Sequence, residues 1–520
     1  MEQFAAGLLE LGLSSTDLIL FFSDNNHEYT VAWFAAAYLG LPMNSVPPAL
    51  GPYEFSIQAA ETAGTVLLFG PSKLSVVQRV FTSEEYQGSV RQIRLIVQFE
   101  SPAVDPFISG LASFTTTTTT NNKVVAKTTP EVAALGAGKT LATVPHFPVT
   151  DLERSTFAIF YTSGTSGKAK GVVHSQRTFL AMLINFRQPT EHEGQRLVLP
   201  FPLGHISGSL FLTAALDRRM TVLLTRVLPP EAIMRLIDRH RVQQYTFTAN
   251  AAPGLASGQY PGLDLSCLKV FRYGGAKIAA HQLETIRRRY DAHMYEMYGS
   301  TEFLGHVSNF HNPAAARADF KAGNLGDLLP NVQMKIIDLN DSTCNLPANE
   351  TGEICFRGPP CFVEYLKNEE ETKMAKDKEG WYRTGDVGFY NSDGCLFITD
   401  RIKEMIKYKL YSVFPAFVEE YITRLSEIES VCVVGVPHKT EGYYPRAYVL
   451  LKESCFLTEE QLLQNVKGRL IYFQNLMYFL IYLCLQKTSD QTNGSVEACG
   501  LSTACHALQL EKWIENTLKI

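Results

Sequence analysis

The sequence predicts an α/β fold: a large N-terminal domain built from several sheets, followed by a small α+β C-terminal domain. Three observations carry this. Short apolar strand candidates alternate with helix-spaced stretches over most of the chain. Two strand candidates, Glu429 to Val436 and Arg446 to Leu451, stand close together near the end. The length, 520 residues, is that of one large domain and one smaller one.

In chain order, Ala32 to Leu41 is an apolar run of helix length, and Thr65 to Phe69 and Arg94 to Phe99 are short strands. Thr115 to Thr120 is a run of six threonines followed by two asparagines, polar and repetitive enough to be a surface loop. Phe157 to Phe160 is a buried strand candidate. Ile233, Leu236, Ile237 and His240 are helix-spaced and lead into a strand over Tyr245 to Thr248. Leu268 to Ile278 begins as a strand and ends at Gly274-Gly275. The amphipathic set Leu283, Ile286 and Tyr290 follows. Glu350 to Arg357 is a turn and a core strand, and Asn391 to Gly394 is a hairpin turn between GFY and LFIT.

Composition narrows the function classes. Hydrophobic residues make up 46% and charged residues 19%, ordinary for a globular protein, and a net charge of −5 gives no reason to expect nucleic acid or an anionic membrane as partner. Ten cysteines lie scattered with no C-x-x-C pair, the pattern of reduced thiols in a cytosolic-type compartment rather than a disulfide framework or a zinc site. The opening MEQFAAGLLELGL has no basic region before its apolar stretch, unlike a secretory signal. The apolar run Leu470 to Leu485 is sixteen residues long and contains Gln474 and Asn475, short for a membrane span. No transmembrane span is expected, and the reading is cytoplasmic.

The chemistry centres on Tyr161 to Val172, YTSGTSGKAKGV. Glycines let backbone N–H groups approach an anion, hydroxyls add donors, and two lysines add charge, so a strand opening into this stretch suggests a phosphate site; a plain connecting loop is the alternative for such a composition. It is not a Walker A loop, because Thr162 and Ala169 stand where that motif needs glycine and Ser/Thr. Gly138-Lys139-Thr140 fails the same test at Ala133.

Further blocks follow in order. LPFPLGHISG spans Leu199 to Gly208 and holds His205. At Gly274-Gly275 the absent β-carbons let a flat ligand lie against backbone. In Met294 to Glu302, MYEMYGSTE, Tyr298 can offer a ring face, Thr301 a hydroxyl and Glu302 a carboxylate for Mg²⁺. In Trp381 to Tyr390, WYRTGDVGFY, Asp386 is a carboxylate able to accept two hydroxyls at once.

Together these blocks resemble the adenylate-forming superfamily, which contains acyl-CoA synthetases, coumarate-CoA ligases, firefly-type luciferases and peptide-synthetase adenylation domains. The resemblance covers about nine-tenths of the chain, to about Leu470. It implies an acyl-CoA synthetase-like fold, with the large domain over 1–399, a lid over 400–470 after the hinge Asp400-Arg401-Ile402-Lys403, and an atypical tail over 471–520. The resemblance also leads one to expect an opening segment shorter than in relatives.

The resemblance also implies the site. Thr162, Ser163, Gly164, Thr165, Ser166, Gly167, Lys168 and Lys170 would hold phosphates, and Gly274, Gly275, Ala276, Tyr298 and Gly299 would line the adenine. Asp386 and Arg401 would take the ribose. Thr301 would reach the α-phosphate, Glu302 would hold Mg²⁺, and His205 would lie near the substrate carboxylate. Lys168, Thr301, Glu302 and His205 are the catalytic candidates. Partners are then a small carboxylic acid, ATP and CoA, with Mg²⁺, and no nucleic acid.

Departures from the family pattern bear on chemistry. Leu410 stands where relatives carry a glycine bordering the CoA channel, and Phe417 where they carry a glutamate. A Pro-x4-Gly-Lys segment, whose lysine serves adenylation in relatives, does not follow Lys467-Gly468-Arg469-Leu470; Lys487 and Lys512 sit in unrelated contexts. The end, Leu518-Lys519-Ile520, differs from the Ser-Lys-Leu peroxisomal address. The expected function is activation of a fatty or aryl acid and transfer to CoA. A non-catalytic or adenylation-only relative and a luciferin monooxygenase share the same motifs.

Overall fold

The structure, a computed structural model, describes residues 1–111, 124–162, 169–186, 193–226, 228–275, 278, 280–308, 325–408, 411–413, 415–438, 442–452, 455–458, 460–462, 464 and 480–484. Four sheets organise these residues. The first has eight strands in the order Glu364–Tyr365, Lys170–Ser175, Thr156–Thr162, Met43–Ser45, Ile19–Phe22, Val66–Phe69, Leu95–Gln98 and Val125–Thr128. Its strands from Thr156–Thr162 onward pair in parallel, whereas Thr156–Thr162 and Lys170–Ser175 form an antiparallel hairpin.

The second sheet has seven strands: Asp327–Leu328, Leu304–Ser308, His293–Gly299, Val270–Gly274, Gln244–Thr248, Arg196–Leu199 and Thr221–Leu224. The last five pair in parallel, and the first two add antiparallel strands at one edge. Parallel strands joined by helices need cover on both faces, which explains why their sequences are nearly continuous apolar runs. The helices Glu2–Glu10, His27–Leu39, Gln176–Asn185 and Ile206–Asp217 contribute buried residues to one core with strands of the first sheet and Leu199 of the second. Trp33 lies in this core and meets Phe21 and Phe157 edge-on, with centroids at 5.8 and 5.9 Å.

The third sheet is antiparallel: Asn345–Leu346, Gln333–Ile337, Gly352–Arg357, Tyr382–Tyr390 and Leu396–Arg401. Its face packs on Val172 of the hairpin, on Phe303 and on Phe362 and Tyr365, so the segments that carry the candidate motifs share one core. The fourth sheet forms a small C-terminal unit from Tyr411–Val413, Ile406–Tyr408, Gly442–Leu451, Ile428–His438 and Leu480–Cys484, with the helix Pro415–Ile422 beside it. Val418 and Ile422 of that helix close its core against Ile428, Val433, Ala447 and Val449.

Large multi-sheet α/β domain and small α+β domain therefore both stand as the alternation of patterns predicts. Boundaries moved where caps overrule hydrophobicity. The first long helix runs His27–Leu39 rather than Ala32 to Leu41, because Asn26 accepts the Tyr29 N–H and starts it earlier, and Gly40, at φ +75°, stops it. The Asn391–Gly394 turn joins Tyr382–Tyr390 to Leu396–Arg401, with Phe389 opposite Phe397. Leu480–Cys484, within the run read as too short to span a membrane, pairs in parallel with Arg446–Leu450. No helix among the described residues is long and apolar enough to cross a membrane. The threonine run and Leu410 lie outside the described residues, as does the side chain of Phe417.

Candidate active site

The hairpin of the first sheet sets the position of the glycine-rich stretch. Thr162 ends one strand and Lys170 begins the next, and the two are register partners in an antiparallel pair. Ser163, Gly164, Thr165, Ser166, Gly167 and Lys168 lie outside the described residues. Lys170 is described, and its Nζ sits 2.5 Å from Glu371 Oε2 and 5.0 Å from the centroid of the Tyr365 ring.

On the second sheet, Val270–Gly274 lies beside His293–Gly299, with Gly274 opposite Met297. A β-carbon on Gly274 would stand 2.3 Å from the Met297 carbonyl oxygen, so the packing of two neighbouring strands already demands glycine there. Gly275 has φ +84°, a backbone state that glycine adopts freely, and space for a β-carbon. The second of these strands ends with Tyr298 and Gly299, and the turn that follows carries Thr301 and Glu302. Ala276 lies outside the described residues.

Thr301 and Glu302 are buried. The backbone carbonyl of Thr301 accepts from His174 Nε2 at 2.8 Å, and His174 stands on the Lys170–Ser175 strand, so this bond ties the turn to the hairpin. Complete burial pushes the His174 imidazole down to about 4, despite the opposing pull of the Thr301 carbonyl, and holds the ring neutral. Glu302 Oε1 accepts from the Tyr365 hydroxyl at 2.7 Å, and the Glu302 carbonyl accepts from the Phe362 N–H at 2.8 Å.

The third sheet contributes Asp386 and Arg401, which face each other across the Tyr382–Tyr390 and Leu396–Arg401 pair. Asp386 Oδ2 accepts the Tyr298 hydroxyl at 2.5 Å and Oδ1 meets Arg401 Nε at 3.1 Å. Burial raises the Asp386 carboxyl above its ordinary value, outweighing the hydrogen bond from Tyr298 and the charge of Arg401. The Tyr298 phenol is pushed well up, first by burial and then by the Asp386 charge, so it remains a donor. Gly385, at φ +71°, turns the backbone beside this pair, and its carbonyl accepts the Ile402 N–H at 2.8 Å.

His205 caps the helix Ile206–Asp217, with Nδ1 accepting the Ser207 N–H at 3.2 Å. That bond places the ring proton on Nε2 when the imidazole is neutral. The ring is solvent-accessible yet surrounded by protein, and desolvation lowers its affinity for a proton.

The structure therefore brings Tyr298, Asp386 and Arg401 into one contact set, and joins Thr301 and Glu302 to the hairpin through His174 and Tyr365. The bonds place neither Gly274 nor His205 in either set. Sequence reasoning missed Tyr365, His174 and Glu371. Only His174, standing among the valines and serine that follow the glycine-rich stretch, offered a signal, as a polar ring in a buried strand.

A sequence model of AMP-binding enzymes matches residues 1–366, and a model of their C-terminal domain matches residues 418–488. The chain belongs to the AMP-binding enzyme family. Within this adenylate-forming family, 4-coumarate–CoA ligase 1 of Solanum tuberosum is 27% identical over 485 residues, covering 91% of this chain and 82% of that one. The fold matches the amide bond synthetase McbA from Marinactinospora thermotolerans, at TM-score 0.74 and 22% identity over 92% of this chain and 89% of that one. It also matches ATP-bound MatB from Rhodopseudomonas palustris, at TM-score 0.75 and 21% identity over 92% and 88%. Membership of this family supports ligase chemistry with ATP for the chain as a class.

Proposed function

We propose that this AMP-binding enzyme activates a carboxylic acid with ATP, forming an acyl-adenylate and pyrophosphate, and then passes the acyl group to the thiol of CoA. The observation that carries the reading is the contact of Tyr298, Asp386 and Arg401, beside the buried Thr301-Glu302 turn. Asp386, held at both oxygens, keeps lone pairs for the two ribose hydroxyls. Arg401 stands beside it as a second ribose contact. The Tyr298 ring and the backbone at Gly274, Gly275, Ala276 and Gly299 would cover the adenine.

In-line attack of the substrate carboxylate on the α-phosphorus makes one P–O bond and breaks another, so the protein's task is positioning and charge stabilisation. Thr301 would donate to the α-phosphate, and Lys168 with the N–H groups of Thr162 to Gly167 would hold the leaving phosphates. Lys170 is engaged with Glu371 and acts from one step back. His205, its Nε2–H free of the capping bond, would orient the substrate carboxylate.

The donor set fits Mg²⁺ in one way. No group of three or more His, Cys, Asp or Glu side chains among the described residues could cage a metal, whereas Glu302 offers a single buried carboxylate, the arrangement used when nucleotide phosphates complete the shell. Bound there, Mg²⁺ would supply charge neutralisation on the phosphates.

An aryl acid is the favoured substrate, since the Solanum tuberosum relative is a 4-coumarate–CoA ligase. A second reading, adenylation without transfer, rests on Leu410 in place of a glycine that borders the CoA channel in relatives. Pyrophosphate release from Mg·ATP over a panel of aryl, short, medium and long-chain acids, with and without CoA, tests both. Release with an aryl acid that rises on adding CoA is the expected result. Release indifferent to CoA would establish the second reading, and no release with any acid would overturn both.

A further inference from the structure

The segment Phe362 to Thr372 lies outside the candidate motifs, yet it touches both the hairpin and Glu302. Tyr365 lies on the two-residue strand Glu364–Tyr365, which adds to the edge of the first sheet opposite Val172 and Val173. Its N–H donates to Thr372 Oγ1 at 2.9 Å, its ring packs on Phe362 with centroids at 4.8 Å, and Lys170 Nζ lies 5.0 Å from its ring centre. One backbone bond and two ring contacts thus hold this residue. Its hydroxyl reaches the Glu302 carboxylate at 2.7 Å, and both residues are buried.

We propose that Tyr365 is a positioning residue for Glu302: its hydroxyl fixes the carboxylate by one oxygen, Oε1, and so presents Oε2 to the divalent cation that accompanies ATP. This rests on the proposed function, in which Glu302 holds that cation. Oε2 makes no hydrogen bond among the described residues, while Oε1 is occupied. A glutamate carboxylate turns broadly about its last bond, and a single donor from a locked ring removes that freedom. The second-layer partner of a metal-binding carboxylate commonly sets its affinity in this way. A neutral phenol suits the role. It donates without adding a charge that would repel the cation. Lys170 completes the strut: ion-paired to Glu371, it holds the ring from the hairpin side instead of meeting phosphate itself.

The test is Mn²⁺ binding to the full chain in the presence of ATP, followed by the electron paramagnetic resonance of free Mn²⁺, with metal-free ATP affinity and melting temperature measured alongside. Tyr365→Phe keeps the ring, its packing and its place near Lys170 and removes only the hydroxyl. The expected result is about a tenfold loss of Mn²⁺ affinity in the ATP complex, with metal-free ATP affinity unchanged. Unchanged Mn²⁺ affinity would overturn the proposal. If the parent chain itself holds no Mn²⁺ with ATP, the reading of Glu302 as metal-binding falls, a separate result. Should Tyr365→Phe not fold because it strands a buried carboxylate, Glu302→Gln and Glu302→Gln/Tyr365→Phe replace it. Equal Mn²⁺ affinity in these two supports action through Glu302, and a further loss in the double variant refutes it.

Discussion

The Tyr298 hydroxyl donates to Asp386 across 2.5 Å, joining the end of a strand in the second sheet to a strand in the third. Because burial raises the Asp386 carboxyl, its charge at neutral pH works against the fold in the absence of nucleotide. The sign follows from linkage: a raised folded-state value favours the fold at low pH, and that advantage is lost as pH rises through the folded value. Asp386→Asn should therefore melt no lower than the parent at pH 8, with any gain shrinking towards pH 4. Its ATP affinity should nevertheless drop about 10- to 100-fold, the size of a lost hydrogen bond to a charged group. Paired thermal melts and nucleotide titrations check both.

His174 gives the opposite pH dependence. Its imidazole is held neutral to about pH 4, so the fold is favoured above the ordinary histidine value near 6.5, and that contribution falls away as pH drops towards 4. His174→Leu should lose about 1–3 kcal/mol at pH 7, since it leaves the Thr301 carbonyl without its donor. Its urea midpoint should also lack the parent's decline between pH 6.5 and 4. A variant with the parent's stability at pH 7 and the same acid decline would show that the bond contributes nothing.

Gly274 and Gly275 should respond differently to alanine. At Gly274 the new methyl meets the backbone oxygen of Met297, which has no side chain to rotate away, and a loss of about 1–3 kcal/mol is expected. At Gly275 there is space, and only the positive φ opposes the change, at about 1–2 kcal/mol. Urea unfolding of the two single variants ranks them.

For His205, removal of the ring by His205→Ala should raise the KM for the acid about tenfold and leave the KM for ATP near the parent's, if the ring orients the carboxylate. Initial rates over a grid of both substrates separate the two constants. An ATP effect equal to the acid effect would place the histidine elsewhere in the reaction.

The small domain offers a test that needs no substrate. The strand Leu480–Cys484 covers part of Gly442–Leu451, pairing from Arg446 to Leu450. A chain ending at Phe479 uncovers those backbone groups and should self-associate, whereas one ending at Cys484 retains them. Size-exclusion chromatography of the two at equal concentration reads the difference.

Much of the fold was legible because its signals are local. The hairpin turn Asn391–Gly394 is written in its own residues, and the strand Gln244–Thr248 differs from the expected Tyr245 to Thr248 by one position. Tyr298, Asp386 and Arg401, which the resemblance singled out, are brought into contact with one another. The bonds that hold the site were not legible. Tyr365 meets Glu302 across 63 positions and His174 meets Thr301 across 127, and neither separation leaves a mark in either local sequence. A tyrosine on a two-residue strand shows no alternation, and a histidine among valines looks like any buried ring. Lys170, which the local pattern marked for phosphate, is paired with Glu371, a partner 201 positions away that its local sequence does not reveal.

Arg401 is the last residue of its strand, and the next N–H, that of Ile402, is fastened to Gly385 beside Asp386. The chain leaves the third sheet at that point on its way to the small domain. Were the small domain to swing about that exit, the Asp386–Arg401 pair would lie at the fulcrum, where the lever arm is close to zero. A nucleotide gripped by that pair would keep its sugar still while the groups beyond it swept through the largest arc.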